Sequence, residues 1–291
     1  MSSKRTVFVI GATGAQGGSV VDALLINGQN VIAAARDPNS ASAQALSNRG
    51  VTVRKADYSD QNSMRDAAKG ADAAFIVTTP FEAGTDAEAA QGITMVDAMR
   101  DAGVGHVVFS SVGNADMATG IPHFDSKHKV EQYLAASGVP YSIVAPVYFM
   151  ENMTAPYALP ELAKGNIAAA MPVDRPLQQV AVKNIGDFAA ALIERRETVF
   201  GKRYNIAGDE LALADAAKKA SLSMGREIAA QSYPVAGLKA QSEDMGLMFE
   251  WFDATGYTAD ISKLKSEFPE VNWLSFSDWL SLQDWSGLGA S

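Results

Sequence analysis

Short apolar runs alternate with helical patterns along the first half of the chain. The predicted strands lie at 7–10, 30–35, 51–57, 73–77, 106–110 and 141–145, and each is rich in β-branched or other apolar residues. Amphipathic helical spacing follows each of the first five runs, and glycines close several of these helices. Because this alternation requires right-handed crossovers, it predicts an α/β fold with a doubly wound parallel sheet.

The first strand runs directly into a glycine turn, Gly11-Ala12-Thr13-Gly14-Ala15-Gln16-Gly17. The first glycine allows a sharp turn, the second allows a pyrophosphate to come close, and the third lets the next helix lie against the sheet. The helix N-terminus offers free N–H groups to phosphates. We therefore predict a dinucleotide site of the Rossmann type. Its predicted binding residues in this turn are Gly11, Thr13, Gly14, Ala15, Gln16 and Gly17.

The end of the second strand bears on the choice between NADP and NAD. Arg36 stands where an arginine accommodates the 2′-phosphate of NADP, and Lys55 could help to neutralise that phosphate. Asp37 follows at once and leaves NAD open, although Pro38 favours an extended conformation that turns it away. We predict NADP as the cofactor, with Asp57 beside the adenine and Tyr58 next to it.

Several polar residues follow predicted strands, at the sheet edge where ligands bind in open α/β folds. Ser110 and Ser111 could hydrogen-bond a substrate oxygen. Tyr148 could contact nicotinamide or supply a hydroxyl for catalysis. The remaining cofactor-binding residues predicted at this edge are Thr78, Thr79, Pro80 and Pro146.

The second half has a looser pattern, in which prolines interrupt short apolar runs. We predict an NAD(P)-binding domain over 1–153, to which about 178–200 return, and a smaller α/β substrate-binding lobe over 154–291. Strands at 203–208 and 228–233 and a helix at 214–224 are assigned to this lobe. Its pocket is expected to be apolar and to include Met150, Met153, Tyr157 and Met171. The aromatic C-terminal stretch favours a packed helical cap over an exposed patch.

Composition excludes several classes of chemistry. A formal net charge of −9 argues against direct nucleic-acid binding, because the global field repels polyanions. The absence of cysteine removes thiol catalysis and Cys-ligated zinc, and the three histidines form no metal-binding spacing. With no run near the roughly 20 apolar residues of a membrane span and no signal-peptide core, we expect a cytoplasmic protein.

Four segments together resemble the NmrA-like family of atypical short-chain dehydrogenases/reductases. They are GATGAQGG at 11–18, ARDP at 35–38, HFDSK at 123–127 and PVYFMENM at 146–153. The resemblance implies a Rossmann domain that binds NAD(P) and a smaller C-terminal part that forms a cleft. Members of the family divide between reductases of carbonyl or quinone-like substrates and cofactor-sensing regulators.

The resemblance also bears on catalysis. In the wider superfamily a tyrosine donates a proton, and a lysine four residues later binds the ribose and lowers the pKa of the tyrosine. Lys127 matches that lysine, whereas His123 occupies the tyrosine position. A helix that begins at Pro122 would place both on one face, and an imidazole can donate a proton near neutral pH. A helix capped by Asp125 or Ser126 would leave His123 in the preceding loop.

These observations favour an NADP(H)-dependent oxidoreductase that transfers hydride to a small carbonyl, quinone or activated alkene, with Lys127, His123 and Tyr148 as the catalytic candidates. The alternative is an NAD(P)-sensing regulatory protein with little or no turnover, which the missing tyrosine favours. Besides a small-molecule substrate, a homodimer or a regulatory protein partner stays open.

Overall fold

The structure, a computed structural model, describes residues 4–288 and contains twelve strands in that range. In chain order they are β1 Thr6–Val9, β2 Asn30–Ala35, β3 Thr52–Lys55, β4 Ala73–Val77, β5 Val107–Ser110, β6 Tyr141–Pro146, β7 Tyr148–Phe149, β8 Asn166–Ala169, β9 Pro176–Val180, β10 Lys202–Ile206, β11 Asp209–Ala212 and β12 Ala229–Ser232. All six strands predicted in the first half are present.

Twelve α-helices lie in the same described range. They are α1 Ala15–Ile26, α2 Ala41–Asn48, α3 Gln61–Ala68, α4 Thr85–Asp101, α5 Pro122–Ala136, α6 Leu159–Ala163, α7 Val182–Arg195, α8 Leu213–Met224, α9 Val235–Gln241, α10 Glu243–Ala254, α11 Ile261–Glu267 and α12 Phe276–Ser281. None of these helices is long and apolar enough to cross a bilayer.

Seven parallel strands form the central sheet in the order β10-β6-β5-β4-β1-β2-β3. From β1 the chain first adds β2 and β3 on one side. It then crosses to the other side of β1 and adds β4, β5, β6 and finally β10. The predicted doubly wound sheet is therefore confirmed. The point where the winding reverses lies between β1 and β4, and a crevice at the carboxyl ends of such strands is the usual ligand site of these folds.

Helices cover both faces of the central sheet. On one face, α1 and α7 pack against the strands through residues such as Val20, Leu24, Phe188 and Leu192. On the other face, α3, α4 and α5 bury a second cluster that includes Met64, Met95, Met99, Val130 and Leu134. Both faces of the central strands are thus buried, which explains their nearly continuous apolar sequences.

Two assignments in the second half of the chain need correction. The strand predicted at 203–208 was assigned to the small lobe, but it is β10 and pairs in parallel with β6 of the central sheet. The segment predicted to return to the NAD(P)-binding domain, about 178–200, begins within β9, which instead lies in a separate sheet between β7 and β11. The helix α7 does return, because its apolar face packs on α1 and completes a crossover from β6 to β10.

The remaining elements stand over the carboxyl edge of the central sheet. They comprise the β11-β9-β7 sheet, the β12-β8 pair and the helices after α7. The aromatic C-terminal stretch forms a packed cap, as predicted, because Phe249, Phe252, Phe268, Phe276 and Trp279 are all buried. Most of these elements line the candidate site, whereas Phe268 packs against Phe188 of α7.

Candidate functional site

The glycine turn after β1 has the tight geometry that its spacing predicts. Gly11 adopts a φ of 70°, in the left-handed region that favours glycine, and its carbonyl accepts a 2.9 Å hydrogen bond from the Gly14 N–H. A Cβ at Gly17 would stand 2.2 Å from the Gly11 carbonyl oxygen. Only glycine therefore allows α1 to begin so close to the end of β1.

The N-terminus of α1 faces the crevice with unpaired donors. Among the described residues, no hydrogen bond uses the backbone N–H groups of Ala15, Gln16 or Gly17, and the first turn contains no acidic side chain. Free N–H groups and the positive end of the helix dipole together attract phosphate oxygens. This end of the crevice can therefore hold a diphosphate.

A cavity of about 1600 Å³ extends from the glycine turn across the carboxyl ends of β1 and β4 to the C-terminal elements. All but one of the predicted cofactor-binding and catalytic residues line it. They are Gly11, Thr13, Gly14, Ala15, Gln16, Gly17, Arg36, Asp57, Tyr58, Thr78, Thr79, Pro80, His123, Lys127, Pro146 and Tyr148. The exception is Lys55, which is exposed at the end of β3 and is not in the lining.

The end of β2 presents a cation to this cavity. The Asp37 carboxylate accepts a 2.9 Å hydrogen bond from the Asn39 N–H and is thereby held within its own turn. Arg36 is exposed and forms a 3.5 Å ion pair with Glu82. Hydrogen bonds from Ser59 lower the pKa of the neighbouring Asp57 carboxyl. Because an ion pair this exposed is weak, the Arg36 guanidinium can exchange Glu82 for a 2′-phosphate at the rim.

Lys127 lies deep in the cavity wall, but its charge is already compensated. Its ammonium donates to the Thr78 carbonyl at 2.9 Å and to the buried Glu88 carboxylate at 2.8 Å. Glu88 also accepts hydrogen bonds from the Thr78 and Ser126 hydroxyls. This network fixes the β4 end of the cavity, and the paired ammonium has little positive charge left for a substrate. Glu88 was not predicted as a site residue, because nothing distinguishes it in sequence.

His123 belongs to α5, since the helix begins at Pro122, and it lies one turn before Lys127. Its Nδ1 atom is 2.6 Å from an Asp244 carboxylate oxygen, and both side chains are largely buried. The Nε2 atom makes no hydrogen bond within residues 4–288, and the ring lines the cavity. This arrangement suits an acid or base, because the carboxylate orients the ring. Asp244 lies far away in sequence and was not predicted.

Tyr148 and Ser111 carry hydroxyl groups and line the same cavity. Tyr148 is half-buried in the cavity wall, and burial raises the pKa of its phenol well above the ordinary value. The Ser111 hydroxyl is buried, lines the cavity and has no partner within the described residues, whereas Ser110 donates to the Gln16 side chain at 2.6 Å. Tyr148 therefore stays protonated near neutral pH, and Ser111 is free to bond a ligand oxygen.

The far part of the cavity is predominantly apolar. Met150, Met153, Tyr157 and Met171 all line it, as expected, together with aromatic residues of the C-terminal cap. Within residues 4–288 no group of His, Asp or Glu side chains could hold a metal ion. This part of the cavity suits a mainly apolar organic molecule.

Comparisons with known proteins agree with this architecture. The model of the NmrA-like family matches residues 3–280. Quinone oxidoreductase 2 of Escherichia coli is 28% identical over 252 residues, which cover 83% of this chain and 82% of that protein. The structure of the NADPH-dependent quinone oxidoreductase QOR2 of Escherichia coli, complexed with NADPH, aligns with a TM-score of 0.78 at 25% identity, covering 94% of this chain and 98% of that one. The structure of NmrA, a negative transcriptional regulator, in complex with NADP aligns with a TM-score of 0.79 at 19% identity, covering 96% of this chain and 95% of that one.

Proposed function

The chain belongs to the NmrA-like family, and from this premise we propose that it is an NADPH-dependent reductase that transfers hydride to a quinone, a small carbonyl compound or an activated alkene. The observation that supports this most directly is the continuity of the cavity. A phosphate-binding helix end and an apolar chamber open into one space, at the edge of the sheet where the winding reverses. Such a space can hold a dinucleotide and a small organic acceptor side by side.

The residues of the cavity fit NADP. The free N–H groups of α1 would hold the diphosphate, and Arg36 would bind the 2′-phosphate, because the Asp37 carboxylate is held by the Asn39 N–H. Bound NADPH supplies the hydride. The Escherichia coli structure supports the same cofactor, since that neighbour is named as NADPH-dependent and is complexed with NADPH.

His123 is the proposed proton donor. Reduction of a carbonyl or quinone places negative charge on an oxygen, and a positioned acid lowers the barrier by protonating it. The His123 ring lines the cavity, and its Nε2 atom makes no hydrogen bond within residues 4–288. Its Nδ1 atom contacts the Asp244 carboxylate, whereas the Lys127 ammonium is bound by Glu88 and Thr78. Lys127 is therefore assigned a structural and orienting role.

The test is NADPH oxidation by the purified protein with quinones, aldehydes, ketones and enones, while NADPH binding is followed separately. The proposal expects turnover of at least one substrate class, and His123→Phe should reduce it by about 10²-fold or more. Tight NADPH binding without turnover of any class would instead favour a cofactor-sensing regulator. Both Gly17→Ala and His123→Phe should lose turnover, but only Gly17→Ala should lose NADPH binding. This difference would distinguish the cofactor site from the proton donor.

A further inference from the structure

Arg175 stands in the lining of the cavity at the beginning of β9. It belongs to the turn that joins β8 to β9, and its N–H donates to the Pro172 carbonyl at 3.2 Å. Apolar side chains, including Met171, Leu177 and Leu213, line the cavity beside it. The residue was not predicted as part of the site.

Within residues 4–288 the guanidinium of Arg175 forms no hydrogen bond or ion pair with a protein group. The sequence has eleven arginines, all within residues 4–288, and the other ten each form an ion pair or a side-chain hydrogen bond with a protein group. For Arg175 no such contact exists in that range. The residue is half-buried in the cavity wall, and its Nε atom is buried without an acceptor. Because a buried donor without an acceptor is costly, the guanidinium offers an open position to an anion that enters the cavity.

Nearby carboxylates do not supply that anion. Glu161 also lines the chamber, but its carboxylate forms a 2.7 Å ion pair with the exposed Lys164. Asp244 is bound to His123. The missing partner is thus expected to enter with a ligand.

The position of Arg175 indicates which ligand this is. Gln179 of β9 pairs in register with Tyr148, and Arg175 precedes Gln179 by four residues. At about 3.3 Å per residue, its backbone lies about 13 Å along the strand from the level of Tyr148. This is the part of the chamber formed by the second half of the chain, whereas the glycine turn belongs to the first. The ligand group at Arg175 consequently belongs to the substrate.

We propose that Arg175 binds a carboxylate of the substrate, so that the preferred acceptor is an apolar quinone or carbonyl compound with an acid group remote from the reduced centre. This inference rests on the proposed reductase function. A guanidinium matches a planar carboxylate with two parallel hydrogen bonds, which a lysine ammonium cannot reproduce. The apolar walls around Arg175 strengthen these bonds by excluding water.

The test compares two matched naphthoquinones, one with a propanoate side chain and the other with the corresponding propanamide. The wild-type protein should show a kcat/KM ratio of about tenfold or more in favour of the acid. Arg175→Met should bring this ratio to about one. Arg175→Lys should restore it only in part, and Arg65→Met, which removes a half-buried arginine of α3 outside the cavity lining, should preserve it.

Binding of the two compounds to the NADP-loaded protein, measured by calorimetry, separates this inference from the proposed function. Equal turnover of acid and amide by the wild type would overturn the role of Arg175 and leave the reductase standing. An Arg175-dependent preference in binding without any turnover would support the carboxylate site and count against the reductase. If the wild type binds both compounds equally and Arg175→Met binds them with the same affinities, the carboxylate site would be overturned.

Discussion

Replacing Asp244 by asparagine removes the charge behind His123 and keeps the size of the side chain. The His123 Nδ1 atom and the carboxylate are 2.6 Å apart, and their side chains are 11% and 24% exposed, so that solvent screens the pair only weakly. A hydrogen bond to a charged group contributes about 1.5–3 kcal/mol, and about 1.4 kcal/mol corresponds to tenfold in rate. If His123 delivers the proton, kcat of Asp244→Asn should fall by about 10- to 100-fold.

The assay is steady-state NADPH oxidation with any substrate that the wild type reduces. Because Asp244 lies outside the cofactor end of the cavity, the KM for NADPH should change little while kcat falls. Asp253→Asn is the matched control, since this exposed carboxylate lies on the same helix, α10. Thermal unfolding of both variants checks that the loss of activity is not a loss of folded protein.

A double variant tests whether the two residues act as one unit. His123→Gln combined with Asp244→Asn should be no slower than His123→Gln alone, because the carboxylate acts only through the ring. A double variant much slower than either single variant would show that the residues act independently. A wild-type kcat in Asp244→Asn would refute the proposed role of the carboxylate.

Four other substitutions test separate parts of the structure. Gly17→Ala should abolish NADPH binding in a fluorescence titration, because its Cβ would stand 2.2 Å from the Gly11 carbonyl oxygen, whereas Gly18→Ala, at 3.5 Å from its nearest neighbour, should bind. Arg36→Ala should weaken NADPH by about tenfold and NADH far less, and equal losses would exclude the 2′-phosphate contact. Glu88→Gln should lower the free energy of unfolding in urea by about 3–5 kcal/mol, since it leaves a buried ammonium unpaired; a loss below about 1 kcal/mol would contradict this. Burial lowers the pKa of His106 to about 3, so between about pH 6.5 and pH 3 the unfolded chain binds a proton there and the native chain does not. The free energy of unfolding should therefore decrease as the pH is lowered through this window, by up to about 1.4 kcal/mol per pH unit, and His106→Asn should flatten this slope in urea titrations.

Features decided within a few residues could be predicted from the sequence. The glycine spacing predicted the turn after β1, because only residues without a side chain satisfy the sterics at Gly11 and Gly17. Pro38 predicted that Asp37 would turn away. The Asp37 carboxylate is held in its own turn by the Asn39 N–H, but the residue still lines the cavity. Most of the cofactor end of the cavity is of this local kind, because it is formed by residues that directly follow the predicted strands.

Partners that are distant in sequence could not be predicted. Glu88 and Asp244 are two of 33 acidic residues, and nothing in their neighbours indicates that each is buried against a cation or an imidazole of α5. The pairing of β10 with β6 could not be predicted either. The strands β7 and β9 lie between them in sequence but belong to a different sheet. Arg175 was missed for the converse reason, since its significance lies in the absence of a partner.

The topology explains why the cofactor end and the substrate end differ in this way. The segment between β6 and α7 leaves the central sheet, contributes Tyr148, Met171 and Arg175 to the cavity, and returns through α7 to β10. Because both of its ends are anchored on the sheet, its cavity residues are held in register with the carboxyl edge where the cofactor would lie. The segment can therefore vary in sequence without disturbing the glycine turn or the order of the strands. On this basis substrate preference is expected to depend on this segment and on the C-terminal helices, which supply Asp244, whereas cofactor preference depends on the ends of β1 and β2.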